Sequence, residues 1–131
     1  MILLDTHALI WWLSESPLLS KNARTAIDQE IKKNKAYVSS ISIWEISLLV
    51  QKKRLPLSAS LEEWLQKVQE FPELEFVSLD NAIAYQSTVL PGSFHADPAD
   101  RFIVATALTL GATLVTKDAK IRRYKHVKTI W

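Results

Sequence analysis

A chain of 131 residues with 48% hydrophobic and 23% charged residues is long enough for one domain with its own core and too short for two ordinary ones. The absence of Cys excludes disulfides, thiolate metal sites and a cysteine nucleophile, and fits a reducing compartment. With only two glycines, Gly92 and Gly111, there is no Walker loop and no GxGxxG turn, so no nucleotide cofactor is expected. The net charge is +2, but Lys117, Lys120, Arg122, Arg123, Lys125 and Lys128 stand against Asp118 alone, which makes the segment from 117 to 128 net +5. Such a run is either a solvated face or a nucleic-acid footprint.

Met1 to Leu4 is a short apolar run closed by Asp5-Thr6, the pattern of a buried parallel strand that ends in a helix N-cap. A helix follows from His7 to Leu13 and breaks at Ser16-Pro17. The opening stretch has no basic n-region and no small-residue cleavage site, and Asp5 and His7 interrupt it; no apolar run of about 18 residues occurs anywhere. A soluble, cytoplasmic protein without a membrane span is therefore expected. Ser20 caps a helix through Lys33, Ala36 to Ser39 is the second strand, and Ile41 to Arg54 is a helix ended by Leu55-Pro56. Leu61 to Phe71, capped by Ser60, is another helix. Glu75 to Leu79 is a third strand, and Asp80 caps a helix through Val89. After a loop, Pro98 to Leu110 is a helix closed by Gly111. Thr113 to Thr116 and Val127 to Ile130 are the last strands, with a helical turn between them. Strands alternate with helices and lack period-2 patterning, which predicts a three-layer α/β/α sandwich around a parallel sheet of four to five strands, spanning residues 1–131 as one domain.

In open parallel sheets, ligands bind beyond the carboxyl ends of the strands, where strand order reverses. Asp5 follows the first strand and Asp118 the fourth, so both are at that edge, although each also suits a helix N-cap. Glu45 has Ile41, Leu48 and Leu49 three and four residues away, so its carboxylate leaves a largely apolar face and needs a Lys or Arg partner, a metal or a catalytic role. In HADPADR, Asp97 before Pro98 is a good N-cap. Asp100 shares a stripe with Ile103, Val104 and Ala107 and so points inward at the first turn. Asp5, Glu45, Asp100 and Asp118 thus converge from four elements and would repel one another, which an all-oxygen site for Mg²⁺ or Mn²⁺ resolves. His7, His95 and His126 are too scattered for a zinc triad and read as structural or substrate-side residues.

These segments, ILLDTHALIWW, SSISIWEISLLVQKKRL, HADPADRFIVATAL and ATLVTKDAKIRRY, taken in order over essentially the whole chain, resemble the PIN-domain ribonucleases and more closely the VapC-type toxins of toxin–antitoxin pairs. The resemblance implies a sheet with its switch point between the first and fourth strands. It also implies Mg²⁺- or Mn²⁺-dependent cleavage of RNA, with Asp5, Glu45, Asp100 and Asp118 as both catalytic and metal-binding residues. Thr6, Thr116 and Asp97 would support them. Lys117, Arg122, Arg123 and Lys125 would bind flanking RNA phosphates. A small antitoxin would wrap a groove for which Trp11, Trp12, Trp44 and Trp64 are candidates, large aromatics being equally suited to the core, and a homodimer is implied. Two other readings remain open: a catalytically silent RNA-binding PIN domain, and a receiver-like Mg²⁺-binding phospho-acceptor domain. The second requires paired acids after the first strand and a lysine loop before a final helix, which this chain lacks.

Overall fold

Apolar side chains leave the strands in both directions and are covered on both sides. Leu3 and Leu114 belong to one buried cluster, with Ile103, Val104 and Ile121; Ile2, Leu4, Val38 and Val115 belong to a second, with Leu9, Ile27 and Ile46. In the computed structural model, which describes residues 1–131, this pattern builds a five-stranded parallel sheet between helical layers. Strand β1 (Ile2–Leu4) leads to α1 (Thr6–Leu13) and α2 (Lys21–Ile31), and β2 (Ala36–Ser39) to α3 (Ile41–Gln51) and α4 (Leu61–Gln69). Strand β3 (Leu74–Val77) leads to α5 (Asn81–Thr88) and α6 (Pro98–Leu110), and β4 (Thr113–Val115) to α7 (Ala119–Arg123) and β5 (Thr129–Ile130). The strand order is β3-β2-β1-β4-β5. The expected switch point therefore lies where β1 pairs with β4, Leu4 opposite Val115. No helix is long and apolar enough to cross a membrane.

Most helices begin where capping chemistry predicts. The side chains of Ser20, Ser60 and Asp80 accept from the backbone N–H groups of Ala23, Glu63 and Ile83. Helix α3 is placed differently from the others. Its Ile41 packs in one cluster and its Ile46 in the other, so it lies across the end of the sheet, against α1 and α6.

The helix expected to reach Arg54 stops at Gln51. Leu55-Pro56 bars continuation, yet the chain leaves the helix earlier through a Schellman closure: the Arg54 N–H donates to the Leu49 carbonyl at 2.8 Å and the Lys53 N–H to that of Val50 at 3.0 Å. Lys53 sits in the left-handed region at φ 57°. Helix α6 closes the same way, its Ala112 N–H donating to the Ala107 carbonyl, but with Gly111 at φ 65° in the left-handed position. The last strand is also shorter than expected, Thr129–Ile130, because the chain is still turning at 125–127 and meets β4 only from Lys128, whose carbonyl accepts from the Leu114 N–H.

The two closures give a paired test. Lys53→Gly removes the left-handed cost and is expected to raise stability by about 1 kcal/mol. Gly111→Ala, whose new Cβ meets no atom within 4 Å, is expected to lower it by about 1 kcal/mol through backbone strain alone. Urea unfolding midpoints read both.

Candidate active site

The acids are brought together from four elements, three of them at an element end and Glu45 from within α3. Asp5 ends β1 and caps α1: its Oδ1 accepts from the Ala8 N–H at 2.8 Å, and its own N–H donates to the Val115 carbonyl at 3.1 Å, which carries the β1–β4 ladder one residue further. Across the switch point Thr116 is fully buried. Its Oγ accepts from the Asp118 N–H at 3.0 Å, and its hydroxyl opposes the rise in the Asp5 pKa. Asp118 caps α7 through Oδ1, which accepts from the N–H groups of Lys120 and Ile121 at 2.8 and 3.1 Å. For Asp5 and Asp118, capping and membership of the acidic site are therefore compatible, since a cap uses one carboxylate oxygen.

Glu45 reaches the same place from α3. The Thr6 hydroxyl donates to its Oε1 at 2.5 Å and is itself in hydrogen-bond contact with the Ser42 hydroxyl at 3.0 Å. No Lys or Arg lies within ion-pair distance of Glu45; the molecule's two ion pairs join the N-terminus to Glu30 and His95 to Asp100. A structural Lys or Arg partner for Glu45 is thus excluded. Asp100 enters from the first turn of α6, held there by Asp97, whose Oδ1 accepts from the Asp100 N–H at 3.0 Å with Pro98 beginning the helix. Nε2 of His95 lies 2.7 Å from Asp100 Oδ2.

Together Asp5, Glu45, Asp100 and Asp118 line an open cleft of about 450 Å³ with Thr6, His7, Trp11, Ile103 and Lys117. Lys117 is its only Lys or Arg, with Nζ 5.7 Å from the centre of the Trp11 ring. Asp97 lies outside this cleft, in a neighbouring hollow with His95, Lys120 and Arg123. Arg123 and Lys125 line a further basic hollow, whereas Arg122 is exposed and lines none of these three surfaces. Sequence reasoning missed the roles of His95, Ser42 and Lys120. The first stood in HADPADR and the last in the basic run, but nothing in their local spacing marked the contact of His95 with Asp100 or of Ser42 with Thr6.

Electrostatically the cleft is under load. Burial pushes the Asp5 carboxyl above the ordinary carboxylate range, against hydrogen bonds from Thr116 and Ala8, and the Asp100 charge adds to the rise. Burial also raises Glu45, opposed by the Thr6 hydroxyl and reinforced by Asp100 and Asp97. Asp100 is raised by burial and by Asp97 and Asp118, against its bond from His95. Asp100 is thus the charge felt by both other raised acids.

No three acidic or imidazole groups stand close enough to clasp one ion by direct contact alone. The donor set nonetheless fits a hard divalent cation that keeps part of its water shell. Mg²⁺ is bound in this way, through one or two carboxylates with waters and substrate phosphate completing the octahedron. The hydrogen bonds made by Glu45, Asp100 and Asp118 use Oε1, Oδ2 and Oδ1, and no buried polar atom lacks a partner. Each of these acids therefore keeps a second oxygen facing solvent.

A parallel sheet with order 3-2-1-4-5 and four acids at its switch point is the architecture of a PIN domain. The PIN domain family matches residues 2–127, and the chain belongs to that family. Ribonuclease VapC22 of Mycobacterium tuberculosis (strain ATCC 25618 / H37Rv) is 36% identical over 132 aligned positions, covering 99% of this chain and 98% of that protein. The same fold occurs in VapBC2 from Rickettsia felis bound to a DNA fragment from its promoter, at TM-score 0.69 and 22% identity over 98% of this chain and 97% of that one. It occurs again in FitAcB from Neisseria gonorrhoeae, at TM-score 0.70 and 22% identity over 98% and 96%. The expected fold class and family are thereby established.

The raised carboxyls carry a sign that can be checked. Asp5, Glu45 and Asp100 hold their protons more tightly folded than unfolded. Between the ordinary range, about 4, and the raised values the native state binds more protons than the unfolded chain. Their contribution to stability is therefore greatest below that interval and falls as pH rises through it. Asp5→Asn keeps the Ala8 cap but removes a charge, so it is expected to raise Tm at pH 7 by a few degrees, with the gain shrinking as pH falls toward about 4. Thermal melts across that range decide; a gain independent of pH would assign the effect to something other than charge.

Proposed function

We propose that this chain is a divalent-metal-dependent endoribonuclease and the toxin partner of a VapBC-type pair. The observation that carries the reading is the convergence of Asp5, Glu45, Asp100 and Asp118 on one cleft with no Lys or Arg paired to any of them. Similarity over nearly the full length to a relative named a ribonuclease supports RNA as substrate. A catalytically silent RNA-binding role would give no reason to keep four mutually repelling acids half-desolvated together.

Asp5, Asp100, Asp118 and Glu45 would hold Mg²⁺ or Mn²⁺, whose chemistry when bound is to neutralise phosphate charge and lower the pKa of water. The protein's own groups do the rest. Thr116 holds the Asp118 amide, and the Asp5 N–H is held by the neighbouring Val115 carbonyl, so the two acids keep a set spacing on either side of the switch point. The Thr6 hydroxyl holds Oε1 of Glu45, leaving Oε2 to orient a water and accept its proton. Water attacks phosphorus in line as the bond to the leaving 3′-oxygen breaks. Asp97 acts through the first turn of α6, which it caps, and not on the reacting atoms. Lys117, Arg123 and Lys125 face flanking phosphates; Arg122 contributes less, being outside the hollows.

For the antitoxin, an apolar groove lined by Ile10, Trp11, Leu13, Leu55, Leu57 and Trp64 supplies a seat. Trp11 lines both this groove and the acidic cleft, so a chain seated there ends beside the acids. Trp64 and Trp11 are thus the tryptophans suited to the partner; Trp12 packs edge-on against Phe71 and Trp44 is half exposed elsewhere on α3. A homodimer in the cytoplasm completes the proposal.

Purified protein is expected to cut single-stranded RNA with Mg²⁺ or Mn²⁺ and to stop in EDTA; full activity in chelator would refute the metal. Asp5→Asn, Glu45→Gln, Asp100→Asn and Asp118→Asn should each lower kcat at least about a hundredfold, with Asp97→Asn, which keeps the α6 cap, losing less. Alanine at Arg123 and Lys125 together should flatten the log–log salt dependence of RNA binding by about 0.7 for each phosphate that the variant no longer neutralises.

A further inference from the structure

Beside the acidic cleft, the loop before α6 and the end of α7 enclose a hollow of about 430 Å³ whose walls include Phe94, His95, Lys120, Arg123, Tyr124 and His126. Its chemistry is the reverse of the cleft's. No carboxylate lines it, and none of Lys120, Arg123 and Lys125 is in an ion pair. The rings form a ladder: Phe94 to His95 at 4.2 Å, Phe94 to Tyr124 at 4.9 Å and Tyr124 to His126 at 5.2 Å between centres. Tyr124 is buried and forms the floor, Phe94 is partly buried, and His126 is exposed.

The loop is held rigid. The Arg101 guanidinium donates to the carbonyls of Ser87, Phe94 and His95 at 2.8, 3.0 and 3.2 Å, and the Tyr124 hydroxyl donates to that of Pro91. Gly92, at φ +67°, passes so close to His126 that a Cβ would stand 3.0 Å from its Nε2. A side chain there would displace the ring. A third hollow contains His95, Lys120 and Arg123 of this basic surface together with Asp100 and Asp118 of the cleft, so the two are one continuous trench.

Unpaired cations tracking a groove, with aromatic faces set into it, are the combination that binds single-stranded nucleic acid: cations meet phosphates and rings stack on bases. We propose that this hollow is a nucleotide subsite of the RNA substrate, in which one base near the scissile bond stacks on Phe94 and His126 while its phosphate lies between Lys120 and Arg123. The subsite fixes the register of the strand relative to the cut. It rests on the ribonuclease reading above, and it adds a position-specific contact that the acids themselves do not supply.

The test is an abasic scan. A single-stranded RNA oligomer cut by the wild type is remade with each nucleotide in turn replaced by an abasic one, and KM and kcat are measured for wild type, His126→Ala and Lys120→Ala. Both side chains are exposed, so neither change opens the core. With wild type, one abasic position within a few nucleotides of the cut is expected to raise KM roughly tenfold, the scale of one base stacked on aromatic side chains. In His126→Ala that same position should lose most of its effect while other positions keep theirs, and Lys120→Ala should raise KM for every oligomer. If wild type cuts normally but shows no sensitive position, or if the sensitivity survives undiminished in His126→Ala, the subsite is refuted and the nuclease stands. If wild type neither binds nor cuts RNA, the nuclease reading falls and the subsite with it.

Discussion

The parallel pairing of β1 with β4 sets everything else in this molecule. Because β1 is central, and the helix after β1 packs on one face of the sheet while the helix after β4 packs on the other, the backbone leaves β1 and β4 toward different helical layers, and a crevice opens between the departing segments. Leu4 faces Val115 in register, which brings Asp5 and Thr116 side by side at the mouth of that crevice. A one-residue slip would turn Leu3 and Leu114 into the wrong cluster and Asp5 out of the mouth. The apolar demand of both sheet faces therefore holds the polar site in place.

A second constraint is that the site works against the fold. Three carboxyls lie in surroundings that resist their ionisation, and each feels the charge of another. Side-chain and backbone donors offset part of this cost: Ala8 and Thr116 at Asp5, Thr6 at Glu45, His95 at Asp100, and the α7 amides at Asp118. Helix N-termini contribute twice over, since their N–H groups satisfy one oxygen of Asp5 and of Asp118 and their positive ends favour the negative charge. Capping in this way takes one oxygen of each of these carboxylates and leaves its charge at the mouth of the cleft.

The surface around the acids is divided by sign. Lys117 stands on Trp11 at one wall, and on the other side Asp100 and Asp118 give way to Lys120 and Arg123 within a single hollow. A polyanion lying along this trench meets cations on its flanking phosphates and acids only where its charge must be opposed by something bound between them. Arg101 and Tyr124 keep that boundary fixed by tying the loop of Phe94 and His95 to α6 and α7. The apolar groove meets the trench only at Trp11.

Local rules sufficed for whatever depends on residues within about a turn of one another. Asp97 before Pro98, Asp100 on the stripe of Ile103 and Val104, Glu45 among Ile41, Leu48 and Leu49, and acids directly after apolar runs were all legible, because capping and helical periodicity act over three or four residues. The alternation of buried runs with helices likewise determined the layered fold and the edge at which the acids gather. Contacts across long stretches of chain were not legible. Thr6 meets Glu45 39 residues away, and the Tyr124 hydroxyl meets Pro91 33 residues away, because α3 crosses the end of the sheet and α7 folds back on the loop before α6. Even the early end of α3 was decided by a backbone closure at Lys53 that no glycine announced. By itself the sequence determined which residues carry charge, which faces must be buried and where helices begin; only tertiary packing decided which oxygen each donor meets, since that depends on how the helices sit against the sheet and not on spacing along the chain.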